Sequence, residues 1–135
     1  MTVVIDASVA VKWVCDEPDS EQASALLSNE TLVAPAFWIV EASNALWRRR
    51  RLGELTEKQT LARLDALHEA PVRALEDHRL VEAALRLAND LDHLVYDCLY
   101  LAAAIDLDTQ VITADRRFEA AVGRRSALRG RLRML

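Results

Sequence analysis

Val3-Val4-Ile5-Asp6-Ala7-Ser8 is the stretch on which the fold turns. Three consecutive β-branched residues, with no polar alternation, read as a short strand buried on both faces. An acid stands directly after it, and small helix-compatible residues follow. The same syntax returns late in the chain, where Gln110 to Thr113 reads as a strand and Asp115 opens the next helical pattern. Between these two units, Thr31 to Ala34, closed by Pro35, and Pro71 to Leu75 read as further strands. Helical patterns begin at about Ser8 and run over Ser20 to Leu27, Phe37 to Arg51 and Thr56 to about His68. They continue over Asp77 to about Asn89, Tyr96 to Ile105 and Asp115 or Arg116 to Val122. Gly53 is placed to stop the third of them, and Thr56 with Gln59 forms a capping-box pattern. Strands alternating with helices predict an α/β fold: one domain over residues 1–135, with a short, largely parallel sheet flanked by helices on both faces.

Composition sets the outer bounds. The chain has 135 residues, 52% of them hydrophobic, which suits a compact core rather than disorder. No apolar run approaches the ~20 residues of a membrane span. The first residues carry no basic segment ahead of the apolar run, so the expectation is no signal peptide and a cytoplasmic protein. Cys15 and Cys98 lack metal-ligand spacing and read as two reduced core thiols.

The net charge of −4 hides an asymmetry. Residues 116–135 hold seven arginines against one glutamate, so base is concentrated at the C-terminal end and acid in the body. Such a distribution points toward a polyanionic partner. Arg48 to Arg51 form a second basic cluster at the end of a helix, where complementing the helix dipole and contacting a nucleic acid are equal readings.

Four acids carry the chemical argument. Asp6 and Asp115 each follow a strand, and in open parallel sheets ligands bind at the carboxyl ends of the strands. Glu41 and Asp97 are lone acids in apolar helical surroundings, where an unpaired carboxylate is costly. Lysine is scarce, with only Lys12 and Lys58 in the chain. Each acid also has a plain structural reading: N-caps for Asp6 and Asp115, a helix start for Asp97, and an ion pair with Arg48, seven residues along, for Glu41. Binding of divalent metal, as one ion or two, accounts for all four together. Because the donors are all carboxylate oxygens, Mg²⁺ is the expected ion, and Mn²⁺ fits the same set.

Supporting residues are Ser8 and Thr113, whose hydroxyls flank two of the acids, and Asn44, three residues after Glu41. Capping and packing are their alternative roles. Trp13, Trp38 and Trp47 read as core or interface residues, and His68, His78 and His93 as surface residues.

Taken in order, Val4-Ile5-Asp6-Ala7-Ser8, Glu41-Ala42-Ser43-Asn44-Ala45-Leu46, Tyr96-Asp97-Cys98-Leu99-Tyr100-Leu101-Ala102 and Ile112-Thr113-Ala114-Asp115-Arg116-Arg117-Phe118 resemble the PIN-domain family. More narrowly they resemble the VapC toxins of bacterial and archaeal toxin–antitoxin pairs. The resemblance is collinear and spans essentially the whole chain. It implies a sheet-and-helix sandwich with the acids in a central groove, and Mg²⁺- or Mn²⁺-dependent endoribonuclease activity on single-stranded RNA. It also implies a homodimer, and a cognate antitoxin that silences the enzyme in a hetero-oligomer by lying over helices near the groove. By position, Asp6, Glu41, Asp97 and Asp115 match the family's acidic quartet, and Thr113 matches the hydroxyl residue preceding the last acid. The arginine-rich tail departs from the pattern; Arg116, Arg117, Arg129 and Arg131 are candidate RNA contacts.

In the expected mechanism Asp6 and Asp97 are the most direct metal ligands, with Glu41 and Asp115 binding directly or through water. An aspartyl-nucleophile phosphatase would carry a second Asp where Ser8 stands, and no Ser–His or Cys–His pairing suggests a covalent intermediate. The alternative of a different class is a PIN fold serving mainly as a binding module.

Overall fold

The β-branched run at the start of the chain forms β1 (Thr2–Ile5), and its last three residues are buried. Because successive strand side chains point to opposite faces, this burial means both faces of the sheet are covered. A computed structural model describes residues 1–135. In it β1 lies at the centre of a five-stranded sheet of order β3-β2-β1-β4-β5. The other strands are β2 (Thr31–Pro35), β3 (Val72–Leu75), β4 (Val111–Thr113) and β5 (Leu132–Met134). All neighbours are parallel, with Val4 opposite Val111 and Ile5 opposite Ile112 at the central pair.

Helices make the crossovers: α1 (Ala7–Ala10), α2 (Ser20–Asn29), α3 (Trp38–Arg51), α4 (Glu57–Glu69), α5 (Val81–Leu91), α6 (Val95–Asp106) and α7 (Arg116–Gly123). The expected capping box of α4 is present, with Thr56 and Gln59 each accepting from the other's backbone N–H. The most apolar helix, α6, is buried from Asp97 to Ala104 and packs on β1, β2 and β4.

Chain order places the functional edge. From β1 the chain builds outward through β2 and β3, then returns to lay β4 and β5 on the other side of β1. The strand order therefore reverses between β1 and β4, the point where open parallel sheets leave a crevice at their carboxyl ends. Asp6 and Asp115 follow those two strands.

Two expectations need correcting. The helix expected from Asp77 begins instead at Val81, after a 3₁₀ turn over Asp77–Arg79, because the Asp77 carboxylate accepts the Phe37 N–H at 3.1 Å and so serves the start of α3. The C-terminal arginine stretch, in which the sequence predicts no strand, contains β5, whose Leu132 packs on the core. Its arginines fasten it down. Arg124 donates to the Leu91 carbonyl (3.0 Å), Arg125 to that of Asp90 (2.6 Å) and Arg131 to that of Thr109 (3.1 Å).

Candidate active site

Asp6 leaves β1 in extended conformation and caps α1, its Oδ1 accepting the Ser8 N–H at 3.2 Å. Its Oδ2 accepts the Thr113 hydroxyl at 2.5 Å, which ties the end of β1 to the end of β4. Thr113 Oγ1 in turn accepts the Asp115 N–H at 3.0 Å, and the Ser8 hydroxyl accepts the Ala114 N–H at 3.0 Å. Asp115 caps α7, its Oδ1 accepting the N–H groups of Arg117 (2.8 Å) and Phe118 (3.3 Å). The capping role and a place at the site are thus compatible, since these bonds occupy one oxygen of Asp115.

Two helices bring the other acids. Glu41, in the first turn of α3, accepts the Tyr100 hydroxyl at 3.2 Å and makes no ion pair with Arg48. Asp97, in the first turn of α6, lies 2.6 Å from His93 Nε2 through its Oδ2. One carboxylate oxygen each from Asp6, Glu41 and Asp97 fall within 4.8 Å of one another. Asp115 lies outside that tight trio and lines the same cavity, of about 550 Å³, with Ser8, Lys12, Arg48 and Arg49.

Burial and crowding work against charge on these groups. Asp6, 2% exposed, is pushed up to about 6, mainly by desolvation; the Thr113 hydroxyl opposes the shift and the Asp97 charge adds to it. Glu41 is pushed up to about 8, by burial first and then by the charges of Asp6 and Asp97. Burial also raises Asp97, against the His93 contact that lowers it. No lysine or arginine pairs with the trio, and the only basic side chain bonded to it is the His93 imidazole. Three oxygen donors gathered where their own charges repel are the donor set and the electrostatics that a hard divalent cation fits.

Other expected residues fall elsewhere. Asn44 is exposed, makes no hydrogen bond to the acids and does not line the cavity. Arg116 and Arg117 stand exposed at the start of α7, on the acidic edge. Arg129 and Arg131 precede β5 and so lie at the opposite edge of the parallel sheet, where Arg131 also pairs with Asp108 at 2.9 Å.

His93, which the sequence places on the surface, is a correction. It is half-buried, stacks on Phe118 with ring centroids 5.4 Å apart, and holds Asp97. Tyr100 is a second partner that the sequence does not announce. The four-residue separation of His93 and Asp97 was legible, but it spans the loop before α6, where helical spacing has no meaning.

The chain is similar to known proteins in sequence and in fold. The PIN domain family model matches residues 3–123. Ribonuclease VapC3 of Pyrobaculum aerophilum is 33% identical over 124 residues, covering 87% of this chain and 92% of that protein. A crystal structure of a Pyrobaculum aerophilum protein superposes with a TM-score of 0.72 at 23% identity, over 90% of this chain and 84% of that one. The structure of VapBC2 from Rickettsia felis, bound to a DNA fragment from their promoter, gives a TM-score of 0.65 at 13% identity, over 99% of this chain and 98% of that one.

Proposed function

The chain belongs to the PIN-domain family, and from that premise we propose that it is a VapC-type ribonuclease, the metal-dependent endoribonuclease toxin of a toxin–antitoxin pair. The observation that carries the reading is the convergence of Asp6, Glu41 and Asp97 from three separate elements at the reversal point of the sheet. A binding module has no need to gather buried carboxylates with so little counter-charge.

Asp6, Glu41 and Asp97 would hold the cation, Mg²⁺ or Mn²⁺, with Asp115 on the rim of the site. When bound, such an ion acidifies an attacking water and stabilises charge developing on the phosphoryl oxygens. The protein's own part is to pre-organise the donors. The Thr113 and Tyr100 hydroxyls fix the orientation of Asp6 and Glu41, and His93 does the same for Asp97. Ser8 holds the backbone of Ala114, which sets the approach of Asp115. Single-stranded RNA is the substrate, and a cognate antitoxin the partner, in keeping with the VapC name of the relative and the VapBC name of the structural neighbour. Assembly as a homodimer belongs to the same proposal.

The test is cleavage of RNA by the purified protein with Mg²⁺ or Mn²⁺, its loss in EDTA, and its loss in Asp6→Asn. Undiminished cleavage by Asp6→Asn, or in chelator, defeats the metal mechanism. An RNA-binding wild type that cleaves nothing in either ion points to the binding module.

A further inference from the structure

The cavity that holds the acids has a second, basic end. Its wall carries Lys12, Glu17, Arg48, Arg49 and Glu54. Most of that charge is spent internally. Lys12 Nζ sits 2.8 Å from Glu17 Oε2, Arg49 also pairs with Glu17, and Arg49 Nη1 lies 3.2 Å from Glu54. Two cations and two anions close on themselves. Arg48 stands apart: it is exposed, lines the same cavity and makes no ion pair.

Its position follows from helix geometry. Seven residues separate Glu41 from Arg48 on α3, close to two full turns, so both project from one face with the arginine about 10 Å further along the axis. The other members of the basic run point elsewhere. Arg50 lines the groove between α3 and α4 beside Glu57, and Arg51 lies over the Trp47 ring at 5.7 Å. Of the four consecutive arginines, Arg48 alone offers an uncommitted guanidinium to the cavity.

We propose that Arg48 grips a phosphate of the bound RNA strand flanking the bond to be cut. This rests on the ribonuclease reading and adds the residue that sets the strand's path from the acids. A polyanion entering a cleft floored by carboxylates needs a fixed cation along its track, and the planar guanidinium fork suits a phosphate. A contact remote from the reacting bond helps ground and transition states alike, so it affects binding more than turnover.

The test uses the full-length protein and a randomised single-stranded RNA pool. Cleavage is followed in Mn²⁺ at several NaCl concentrations, and binding of the pool by fluorescence anisotropy in Ca²⁺. Arg48→Gln should raise KM with kcat held within about twofold, and lower the log–log salt slope of binding by about 0.7, the loss of one phosphate contact on a single strand. Arg48→Lys, which keeps the charge without the fork, should restore the slope and part of the KM. Arg50→Gln, the same charge change on another face, should behave as wild type. Wild-type KM and slope in Arg48→Gln overturn the assignment, as does an equal effect from Arg50→Gln. A wild type that neither binds nor cleaves RNA overturns the ribonuclease reading itself.

Discussion

Thr113 donates a 2.5 Å hydrogen bond to Asp6 across 107 residues of sequence, and through it the ends of the two central strands are held in register at the acidic edge. Thr113 is fully buried, so its hydroxyl has no water to turn to. Thr113→Val keeps the shape and removes the donor. It should cost about 1–3 kcal/mol of stability, because the Asp6 carboxylate loses a buried donor and the Asp115 N–H loses its acceptor. It should also lower the affinity for Mn²⁺. Thermal melts and a metal titration check both; an unchanged melting temperature together with unchanged affinity would show that the bond does not organise the site.

The carboxylate shifts fix a pH dependence. Asp6 and Glu41 hold their protons to about 6 and about 8 in the fold, whereas in the unfolded chain carboxylates release them near pH 4. Folded values raised in this way contribute stability that is fully present below about pH 4 and is lost as pH rises through the folded values. In EDTA the contribution of these two groups should therefore weaken from about pH 4 to pH 8. Metal affinity should rise over the same range, since ions displace protons from the site. Melting curves and Mg²⁺ titrations across pH 5–9 test this, and an affinity independent of pH contradicts it.

Glu41→Gln separates charge from shape. At pH 9 in EDTA the wild-type Glu41 is ionised beside Asp6 and Asp97, and the neutral amide should melt higher. At pH 6 Glu41 is already protonated, so the two proteins should melt nearly together. Saturating Mg²⁺ should stabilise the wild type by about 2.7 kcal/mol at a hundredfold excess over Kd, and the mutant clearly less. Asp97→Asn is a poorer probe of repulsion, because it also strips His93 of its partner.

The arginines of the C-terminal segment should answer to stability rather than to RNA. Arg131→Gln removes the bonds to Thr109 and Asp108 that fasten β5 to the start of β4. It should cost about 1 kcal/mol and leave the salt slope of RNA binding untouched, the reverse of Arg48→Gln. Melts and anisotropy on the same preparation distinguish the two outcomes.

Local pattern by itself determined much of this protein. Val3-Val4-Ile5 and Val111-Ile112-Thr113 announce buried strands because β-branched residues in a short unbroken run have few other stable placements. The acids after them were legible as groups at a carboxyl edge, since strand direction and parallel crossovers leave little choice of edge. Tertiary structure alone decided which side chains meet. Thr113 finds Asp6 and Tyr100 finds Glu41 across 107 and 59 residues, separations that no helical or strand period describes, and His93 finds Asp97 across the loop before α6. The strand Leu132–Met134 is too short to show a period, and it exists because β4 offers an open edge. The arginines look alike in sequence, yet Arg48 faces the acids, Arg49 is consumed by Glu17 and Glu54, and Arg131 binds the far edge. Charge is a property of the residue, but the direction in which it points is set by the packing of the element that carries it.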